Sequence, residues 1–414
     1  MKIVHFSWEY PPVIYGGLGT FATEITKKQV EFGHDVTVFS QNRENALTTS
    51  DQINNVEVYR PKTLDLSKPF YLCADHELRS WGSYFKFFAD VLSYNIMSSS
   101  QLVNVLVRKH GRSVDIIDAH DWLGIVAGMV VKKELHLPLI FHMHSTEVGR
   151  SIGRGSHTIK DIEYEGGQIA DCVITVSNAM ADELLKLGFP QDKIRPCWNG
   201  VDPAKYDPAQ ISSSQRLLLR RNYSVQDHET LLFFIGRLVT VKGVDKLVRA
   251  MPFLLKDFPN TKLLILGIGD MENELRSITH ELGIDDKILM RTEFVSEEER
   301  IRHYAAADVV VVPSLYEPFG IVCTEALSME KPTIVGARGT NGMREQVIPS
   351  GENQCGIHVN PFEPKDIAWG ITQVLQSPDK ALQWGKNGRQ RVIKEFSWDA
   401  VTSRTLAIYK EFLR

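Results

Sequence analysis

The sequence contains no apolar stretch long enough to span a membrane as a helix. The longest uncharged apolar run, residues 122–131, is about half the length that a membrane-spanning helix needs. The apolar start at residues 3–6 is too short for the core of a signal peptide. We therefore expect a protein without an integral membrane segment.

Cysteine is scarce, and the charge is nearly balanced. The five cysteines form no Cys-x-x-Cys motif and are odd in number, which is typical of reduced thiols and predicts a cytoplasmic protein. The net charge of −4 gives no broad basic surface for nucleic acid or an anionic membrane. Any phosphate binding must therefore come from a local site, and we expect no nucleic-acid partner.

The length and the order of apolar segments predict two α/β domains. At 414 residues the chain is too long for one compact core and suits two domains of roughly 200 residues each. Apolar runs alternate with helical patterns in both halves, which predicts doubly wound parallel sheets. The predicted strands cover residues 2–7, 35–40, 116–119, 139–144 and 172–176 in the first half, and 231–235, 262–266, 287–291, 309–312 and 333–335 in the second.

Two carboxylates follow the predicted strand at residues 309–312. Pro313 ends this run of four valines, and Gly320 opens a helical segment. Glu317 lies on the intervening loop and Glu325 within the helix. Ligands bind at the carboxyl ends of such strands, where amides at a helix start favour phosphate. This segment is therefore the first candidate for a ligand site.

Two cations follow the predicted strand at residues 231–235. Arg237 and Lys242 lie in the segment Gly-Arg-Leu-Val-Thr-Val-Lys-Gly, before the next helical pattern. A guanidinium fork and an ammonium group at one strand end can hold a diphosphate. We predict that both leave the sheet at the edge where Glu317 lies.

These motifs resemble those of a known enzyme family. Glu317-Pro-Phe-Gly with Glu325, together with Gly236-Arg-Leu and Lys242-Gly, is similar to the retaining glycosyltransferases of GT-B fold. More narrowly, the chain resembles the broad group that includes glycogen and starch synthases. The resemblance implies two Rossmann-like domains facing a central cleft. Because the last helix of GT-B proteins crosses back to the first domain, it implies domains at residues 1–200 plus 397–414 and at 201–396.

The resemblance also implies an activity and the residues that carry it. It implies transfer of a sugar, with glucose as the first expectation, from a UDP- or ADP-sugar to a glycan hydroxyl, with an α-glucan as the expected acceptor and with retention of configuration. The implied catalytic residues are Arg237, Lys242, Glu317 and His144. The implied substrate-binding residues are Gly16, Gly17, Asp121, Gly269, Val295, Phe319, Gly320, Ile321 and Glu325. Among these, Gly17 would approach the donor phosphates, Val295 the nucleobase, Glu325 the ribose and Asp121 the acceptor.

No metal or other cofactor is expected. His142, His144 and Glu147 could suggest a metal, but no further ligand follows at zinc-type spacing. No Asp-x-Asp motif lies near the proposed diphosphate site. The nucleotide sugar is therefore expected to act as a substrate, with its leaving group neutralised by protein cations.

Departures from the glycogen synthase pattern leave other functions open. Ile14 stands where bacterial glycogen and starch synthases have a lysine, and Phe319 where they usually have cysteine. These differences favour the wider transferase group, including enzymes that make a disaccharide or another glycoconjugate. A sugar-nucleotide epimerase on the same two-domain shell is the main alternative from another class. The sequence fixes neither the nucleobase, the sugar, the acceptor nor the oligomeric state.

Overall fold

The computed structural model describes residues 1–413 and divides them into two compact units. The first unit contains Met1–Trp198 together with the chain from Trp398 onward, and the second contains Asn199–Ser397. The second unit is therefore inserted between two parts of the first. Each unit is a parallel or mostly parallel sheet with helices, which confirms the predicted fold class.

The first unit is built on an eight-stranded sheet with the order β3-β4-β2-β1-β5-β6-β7-β8. Its strands are β1 (Lys2–Phe6), β2 (Asp35–Phe39), β3 (Ser50–Ile53), β4 (Val56–Tyr59), β5 (Ile116–His120), β6 (Leu139–Met143), β7 (Cys172–Thr175) and β8 (Ile194–Pro196). Its helices are α1 (Gly17–Glu31), α2 (Ser67–Cys73), α3 (His76–Ser80), α4 (Tyr84–Ser100), α5 (Asp121–Leu135), α6 (Glu147–Arg150), α7 (His157–Ile169) and α8 (Asn178–Lys186). A π-helical segment, Gln101–Lys109, continues α4.

The second unit is built on a six-stranded, all-parallel sheet with the order β11-β10-β9-β12-β13-β14. Its strands are β9 (Thr230–Ile235), β10 (Thr261–Leu266), β11 (Ile288–Arg291), β12 (Val309–Val312), β13 (Thr333–Gly336) and β14 (Gly356–Val359). Its helices are α9 (Ser213–Asn222), α10 (Val244–Leu254), α11 (Glu272–Glu281), α12 (Glu297–Ala306), α13 (Ile321–Ser328), α14 (Met343–Gln346), α15 (Pro364–Leu375) and α16 (Pro378–Arg391). All four residues of β12 are buried, as expected for a central parallel strand.

The last helix completes the core of the first unit. This helix, α17 (Trp398–Lys410), packs against α1. Its residues Trp398, Val401, Leu406 and Tyr409 join a buried cluster with residues of the first strands. The last helix therefore belongs to the first unit, and it ends at Lys410.

Four strands were not predicted from the sequence: β3, β4, β8 and β14. The strands β3 and β4 form an antiparallel hairpin whose turn is Asn54-Asn55, and both asparagines have positive φ. Two residues with positive φ are typical of the tight turns that join such strands. The Asn-Asn pair between short alternating segments was the available signal for this hairpin.

The first helix starts earlier than predicted. The sequence places Gly17 on a loop and begins the helix at Thr20, whereas α1 begins at Gly17 with Gly16 as its extended N-cap residue. A Cβ at Gly19 would lie 2.9 Å from both Glu9 Oε2 and Ile14 Cγ2. Gly17 and Gly19 therefore belong to the first turn of the helix. The absence of a side chain at Gly19 allows the preceding loop to pack closely against this turn.

No helix within residues 1–413 is both long enough and apolar enough to cross a bilayer.

Candidate active site

The structure brings together Lys242 and Glu317 from two neighbouring strand ends. The strands β9 and β12 pair directly, so the loops that follow them lie side by side. Lys242 Nζ lies 2.5 Å from Glu317 Oε2, and Ser314 Oγ donates to the same oxygen at 3.2 Å. Glu317 is only 8% exposed. A cation and a carboxylate thus share a nearly buried position at the carboxyl edge of the sheet.

Backbone contacts hold these two loops at a fixed separation. Leu315 N donates to Val241 O at 2.8 Å. Gly243 has φ of +64°, and a Cβ there would lie 2.2 Å from Pro313 O. Only glycine fits this close approach, which seats the Lys242 turn against the start of the Glu317 loop.

A third loop supports Glu317 from the other side. The Glu317 amide donates to Thr340 O at 3.1 Å, and its carbonyl accepts from Gly342 N at 2.8 Å. The buried side chain of Asn341 donates to Ser314 O at 2.9 Å. The segment 340–342 thus fixes the backbone around the carboxylate.

Gly320 starts α13 in a left-handed conformation. Its φ is +89° and it is the N-cap of this eight-residue helix, so Ile321 follows in the first turn with amides that lack intrahelical partners. Phe319 is buried, packs near Phe396 with ring centroids 6.1 Å apart, and its carbonyl accepts from Gln346 Nε2 at 2.6 Å. Of these positions, the helix-start amides are suited to an anion.

Glu325 is held by two tyrosines. Its two carboxylate oxygens accept from Tyr206 at 2.8 Å and from Tyr304 at 2.7 Å, and Glu325 is only 4% exposed. A carboxylate has about four acceptor sites, so these contacts orient the group without using its full capacity. The tyrosines were not singled out in the sequence because they lie 119 and 21 residues away.

The remaining predicted residues of the second unit lie on the same sheet edge. Arg237 is exposed and makes no side-chain hydrogen bond or ion pair within residues 1–413. A Cβ at Gly269 would lie 2.1 Å from Leu238 O, so this glycine packs against the backbone beside Arg237. Val295 is half-buried, while its neighbour Phe294 is 87% exposed. Phe294 was not among the residues predicted from the sequence. An aromatic residue within a polar loop was the available signal for this candidate.

In the first unit, Glu9 already occupies part of the predicted glycine loop. Its Oε2 accepts from Tyr15 N at 2.9 Å and from Gly16 N at 3.0 Å. The Gly16 amide is therefore engaged by a protein carboxylate in this structure. Gly17 lies next to it in the exposed first turn of α1.

Asp121 and His144 are in direct contact. Asp121 Oδ1 accepts from the backbone amides of His144 at 2.7 Å and Ser145 at 3.4 Å. Asp121 has φ of +51° and is only 6% exposed. Burial raises its pKa to about 6, with Arg150 opposing the shift. A strained, buried carboxylate that positions His144 is consistent with a functional site.

Further buried polar groups surround His144 that the sequence did not reveal as a set. The parallel register places His5 beside Asp118 and His120 beside His142. His120 Nδ1 lies 3.2 Å from His144 Nε2, and His120 Nε2 lies 3.0 Å from His5 Nδ1. Strand positions alone could have suggested this cluster, but only if the register of three strands were known.

Two of the histidines in this cluster are stacked face to face. His120, His142 and His144 bring nitrogen atoms to within 4.8 Å of one another. However, the rings of His142 and His144 are parallel to within 5° with centroids 4.8 Å apart. Nitrogen lone pairs lie in the ring planes, so those of two stacked rings cannot converge on one ion. The close nitrogen pairs are better described as hydrogen bonds.

The first unit also contains a cavity of about 600 Å³ near the Glu9 loop. Aromatic side chains from three segments line it, namely Trp8, Tyr15 and Phe87. Its charged residues are Glu9, Arg43, Glu44, Asp65, Lys86 and Asp90. Both basic side chains are ion-paired within the cavity, Lys86 with Asp90 at 2.9 Å and Arg43 with Glu44 at 3.9 Å. The lining is therefore aromatic and net acidic.

Comparison with known proteins places the chain in a family. Residues 215–391 match the family Glycosyl transferases group 1, and residues 15–205 match Glycosyltransferase Family 4. The chain is 34% identical to an uncharacterised glycosyltransferase of Methanocaldococcus jannaschii over 99% of this chain and 98% of that protein. The chain belongs to the group 1 glycosyltransferases. This glycosyltransferase is also 27% identical to a glycogen synthase of Mycobacterium tuberculosis, over 99% of this chain and 94% of the relative.

Solved structures share the fold of this glycosyltransferase. A sucrose-phosphate synthase from Thermosynechococcus elongatus superimposes with a TM-score of 0.78 at 22% identity, covering 99% of both chains. The catalytic domain of starch synthase IV from Arabidopsis thaliana, bound to ADP and acarbose, gives 0.75 at 16% identity, again covering 99% of both chains. These similarities confirm the predicted GT-B architecture.

We expect activity of the glycosyltransferase to fall as the pH drops below about 6. The pKa of Asp121 is raised to about 6 by burial, so its charge is present above that pH and lost below it. Loss of the charge weakens the hydrogen bonds to the His144 and Ser145 amides. A pH profile of kcat/KM measures the effect. Asp121→Asn should lose this acidic limb, whereas Glu163→Gln, at a carboxyl whose pKa burial raises to about 8, should keep it.

Proposed function

We propose that this glycosyltransferase moves a glucosyl group from UDP-glucose or ADP-glucose to a hydroxyl of a neutral glycan, with retention of configuration. The observation that carries the proposal is the pairing of Lys242 with Glu317 at adjacent strand ends. It sets a cation for a leaving diphosphate one hydrogen bond away from a carboxylate that can hold sugar hydroxyls. The matching relatives that make glycogen and starch support glucose as the transferred sugar.

The diphosphate is proposed to lie against Lys242, Arg237 and the helix-start amides after Gly320. Breaking the bond between sugar and phosphate places negative charge on the departing diphosphate. Preorganised donors at such a position are worth about 2.7–4 kcal/mol each. Arg237 is exposed and makes no side-chain ion pair within residues 1–413, and Lys242 is partly exposed, so both cations can reach a bound diphosphate.

The sugar and ribose are proposed to be held by the two carboxylates of the Glu317 segment. Glu317 would accept from hydroxyls of the transferred sugar, and Glu325, oriented by Tyr206 and Tyr304, would accept from the ribose hydroxyls. Exposed Phe294, next to Val295, offers a ring for the nucleobase. A ring that stacks on a base has little preference between uracil and adenine, so both nucleotides fit this proposal.

Retention is proposed to occur on one face of the sugar. A double displacement through an enzyme nucleophile needs a free carboxylate about 5–5.5 Å from its partner. Glu317 is ion-paired with Lys242, and Glu325 is enclosed by tyrosine hydroxyls, so neither suits attack on carbon. A donor phosphate oxygen is therefore proposed to take the acceptor proton as the new bond forms on the side that the diphosphate leaves.

The acceptor is proposed to be uncharged. The cavity of the first unit has aromatic surfaces that suit sugar rings and four carboxylates that suit hydroxyls. Its two basic groups are already paired within the cavity. A phosphorylated acceptor would therefore face net negative charge. These features favour a neutral glycan such as an α-glucan over a sugar phosphate.

We expect nucleoside diphosphate release that requires both donor and glycan. The test is a coupled assay with UDP-glucose and ADP-glucose, each without acceptor, with an α-glucan, and with glucose 6-phosphate. The α-glucan should give turnover, and NMR of the new anomeric centre should show an α linkage. A β linkage would contradict retention, and faster turnover with glucose 6-phosphate would contradict the neutral acceptor. A C2 epimer formed without acceptor would instead support an epimerase.

We expect turnover to persist in EDTA. The proposed diphosphate site supplies two fixed cations, Arg237 and Lys242, and these can neutralise the leaving group without an ion. The measurement is the initial rate before and after exhaustive chelation, with a Zn²⁺-dependent phosphatase as a control for chelation. Loss of activity that Mn²⁺ or Mg²⁺ restores would show that the charge of the leaving group is balanced by a metal.

A further inference from the structure

Three histidines of the first unit are hydrogen-bonded in series. His144 Nε2 lies 3.2 Å from His120 Nδ1, and His120 Nε2 lies 3.0 Å from His5 Nδ1. His5 Nε2 then lies 2.8 Å from Gln29 Oε1. His5, His120 and Gln29 are completely buried, whereas His144 is half-buried. The series thus runs from the core to the one histidine that reaches solvent.

In a series of neutral imidazoles, the donor-to-acceptor direction of one hydrogen bond fixes the direction of all the others. Each neutral ring carries one N–H and one nitrogen lone pair, so each hydrogen bond must run from an N–H to a lone pair. Burial lowers the pKa of His5, of His120 to about 3, and of His144 well below its ordinary value. All three rings are therefore neutral near pH 7. The partner at the buried end then decides which nitrogen of every ring carries the proton.

Gln29 is the partner at the buried end, and Asp118 and Tyr409 set its orientation. The Tyr409 hydroxyl donates to Asp118 Oδ2. The Asp118 carboxylate is the acceptor in this contact. The Gln29 side chain lies near the Tyr409 hydroxyl and lowers the pKa of that group, while Gln29 Nε2 makes no hydrogen bond within residues 1–413. If the Gln29 amide were turned, its oxygen would face the Tyr409 oxygen, which already donates its proton to Asp118. Two acceptors would then face each other, so Gln29 Oε1 is directed toward His5 instead.

The direction then propagates along the series. Because Gln29 Oε1 accepts, His5 carries its proton on Nε2 and offers Nδ1 as an acceptor. His120 must donate from Nε2 to that atom, which leaves its own Nδ1 as an acceptor for His144 Nε2. We infer that His5, His120 and Gln29 are positioning residues that fix His144 as its Nε2–H tautomer, leaving the Nδ1 lone pair for a substrate hydroxyl. This inference rests on the proposed function, with His144 taken as the catalytic residue that the sequence resemblance implies.

We call the hydrogen-bonded series of His144, His120, His5 and Gln29 the histidine relay. Ring packing keeps His144 in the orientation that this relay requires. The His142 ring stacks on it at 4.8 Å, and the buried Phe21 ring meets it edge-on, also at 4.8 Å. The backbone of His144 is held separately by Asp121. His144 Nδ1 has no protein partner within residues 1–413, so this nitrogen is the one left for a ligand.

A fixed Nδ1 lone pair has a specific chemical consequence. It can accept a hydrogen bond from a hydroxyl of the transferred sugar, and it carries no positive charge. An imidazolium at this position would repel the positive charge that develops on the sugar as its bond to phosphate breaks. The relay thus supplies a neutral acceptor where a titrating histidine would be harmful.

The first test reads the tautomer directly and does not depend on activity. The full-length protein is labelled with ¹⁵N-histidine, and long-range ¹H–¹⁵N correlation spectra are recorded at pH 7 without ligand. Loss of one set of signals in His144→Gln assigns the ring. The expected result is a neutral ring protonated on Nε2. A ring protonated on Nδ1, or on both nitrogens, would overturn the inference.

The second test breaks the relay at His5, which lies outside the proposed binding site. His5→Phe keeps an aromatic ring but removes the acceptor for His120. We expect the His144 signals to show both tautomers, with kcat lowered about tenfold and KM changed less than about twofold. His5→Asn restores an acceptor near the position of Nδ1 and should recover the wild-type tautomer and most of kcat. His303→Phe, at a buried histidine of the second unit, is the matched control and should change neither.

The two tests separate the inference from the proposed function. If the wild-type protein transfers no sugar but shows the Nε2–H tautomer that His5→Phe disturbs, the proposed function fails and the relay stands. If the wild-type protein is active and His5→Phe leaves the tautomer or kcat unchanged, the relay is overturned. Should His5→Phe not fold, Gln29→Met breaks the same series at its buried end and is judged by the same two readouts.

Discussion

Lys242→Ala should lower kcat by about 10²–10³-fold while changing donor affinity much less. Lys242 is paired with Glu317 at 2.5 Å. Charge on the diphosphate grows only as the sugar departs, so the ammonium group contributes most in the transition state. Single-turnover rates and the donor Kd, measured separately, distinguish the two effects. Arg237→Ala should behave similarly because its guanidinium is proposed to contact the same diphosphate.

The neighbouring Lys246 provides a matched control for this prediction. Lys246 lies in α10, is paired with Asp245 at 3.1 Å and is partly exposed. Lys246→Ala removes the same charge from the same part of the unit and should leave kcat within about twofold, as expected for a surface ion pair. Equal losses in both variants would indicate a general electrostatic effect. A near-wild-type rate for Lys242→Ala would remove Lys242 from the mechanism.

Gly243→Ala should destabilise the protein by about 2–5 kcal/mol and reduce activity strongly. A left-handed conformation costs a non-glycine residue roughly 1–2 kcal/mol, and overpacking adds about 1–3 kcal/mol. Both apply because φ is +64° and the new Cβ would lie 2.2 Å from Pro313 O. Relief of this clash must separate the Lys242 turn from the Glu317 loop. Denaturant unfolding and kcat measure the two effects.

Gly283→Ala isolates the backbone part of this cost. Gly283 has φ of +65°, and a Cβ there would meet nothing within 4 Å. Gly283→Ala should therefore cost only about 1–2 kcal/mol and leave kcat unchanged. If the two variants lose equal stability, Pro313 moves aside freely. If Gly243→Ala keeps full activity, the spacing of the two loops does not matter for catalysis.

The architecture was largely predictable because its main strands are continuous apolar runs. Val309–Val312 is a clear example, since all four residues are buried. The hairpin of β3 and β4 was missed because Ser50–Ile53 is mostly exposed, so it carries little apolar signal. The start of helix α1 was predicted three residues too late because glycine is normally unfavourable in helices. The packing of Glu9 and Ile14 over Gly19 explains why the first turn nevertheless contains glycines.

The site was predictable where a motif follows a strand, and unpredictable where partners come from distant segments. Lys242 and Glu317 meet because β9 and β12 are neighbours, which the strand-end argument anticipates. The tyrosines that hold Glu325 come from α12 and from the chain before α9, and neither position has a local signal. The proposed roles of His144 and Asp121 in substrate binding remain predictions for the experiments above.

The return of α17 to the first unit determines the order in which a nascent chain can fold. Trp398, Val401 and Tyr409 fill the core beside α1, yet they leave the ribosome only after the whole second unit has been synthesised. The second unit, Asn199–Ser397, can thus complete its sheet while the first still exposes an apolar groove. Because Tyr409 also donates to Asp118, the surroundings of the histidine relay are complete only after α17 has been synthesised.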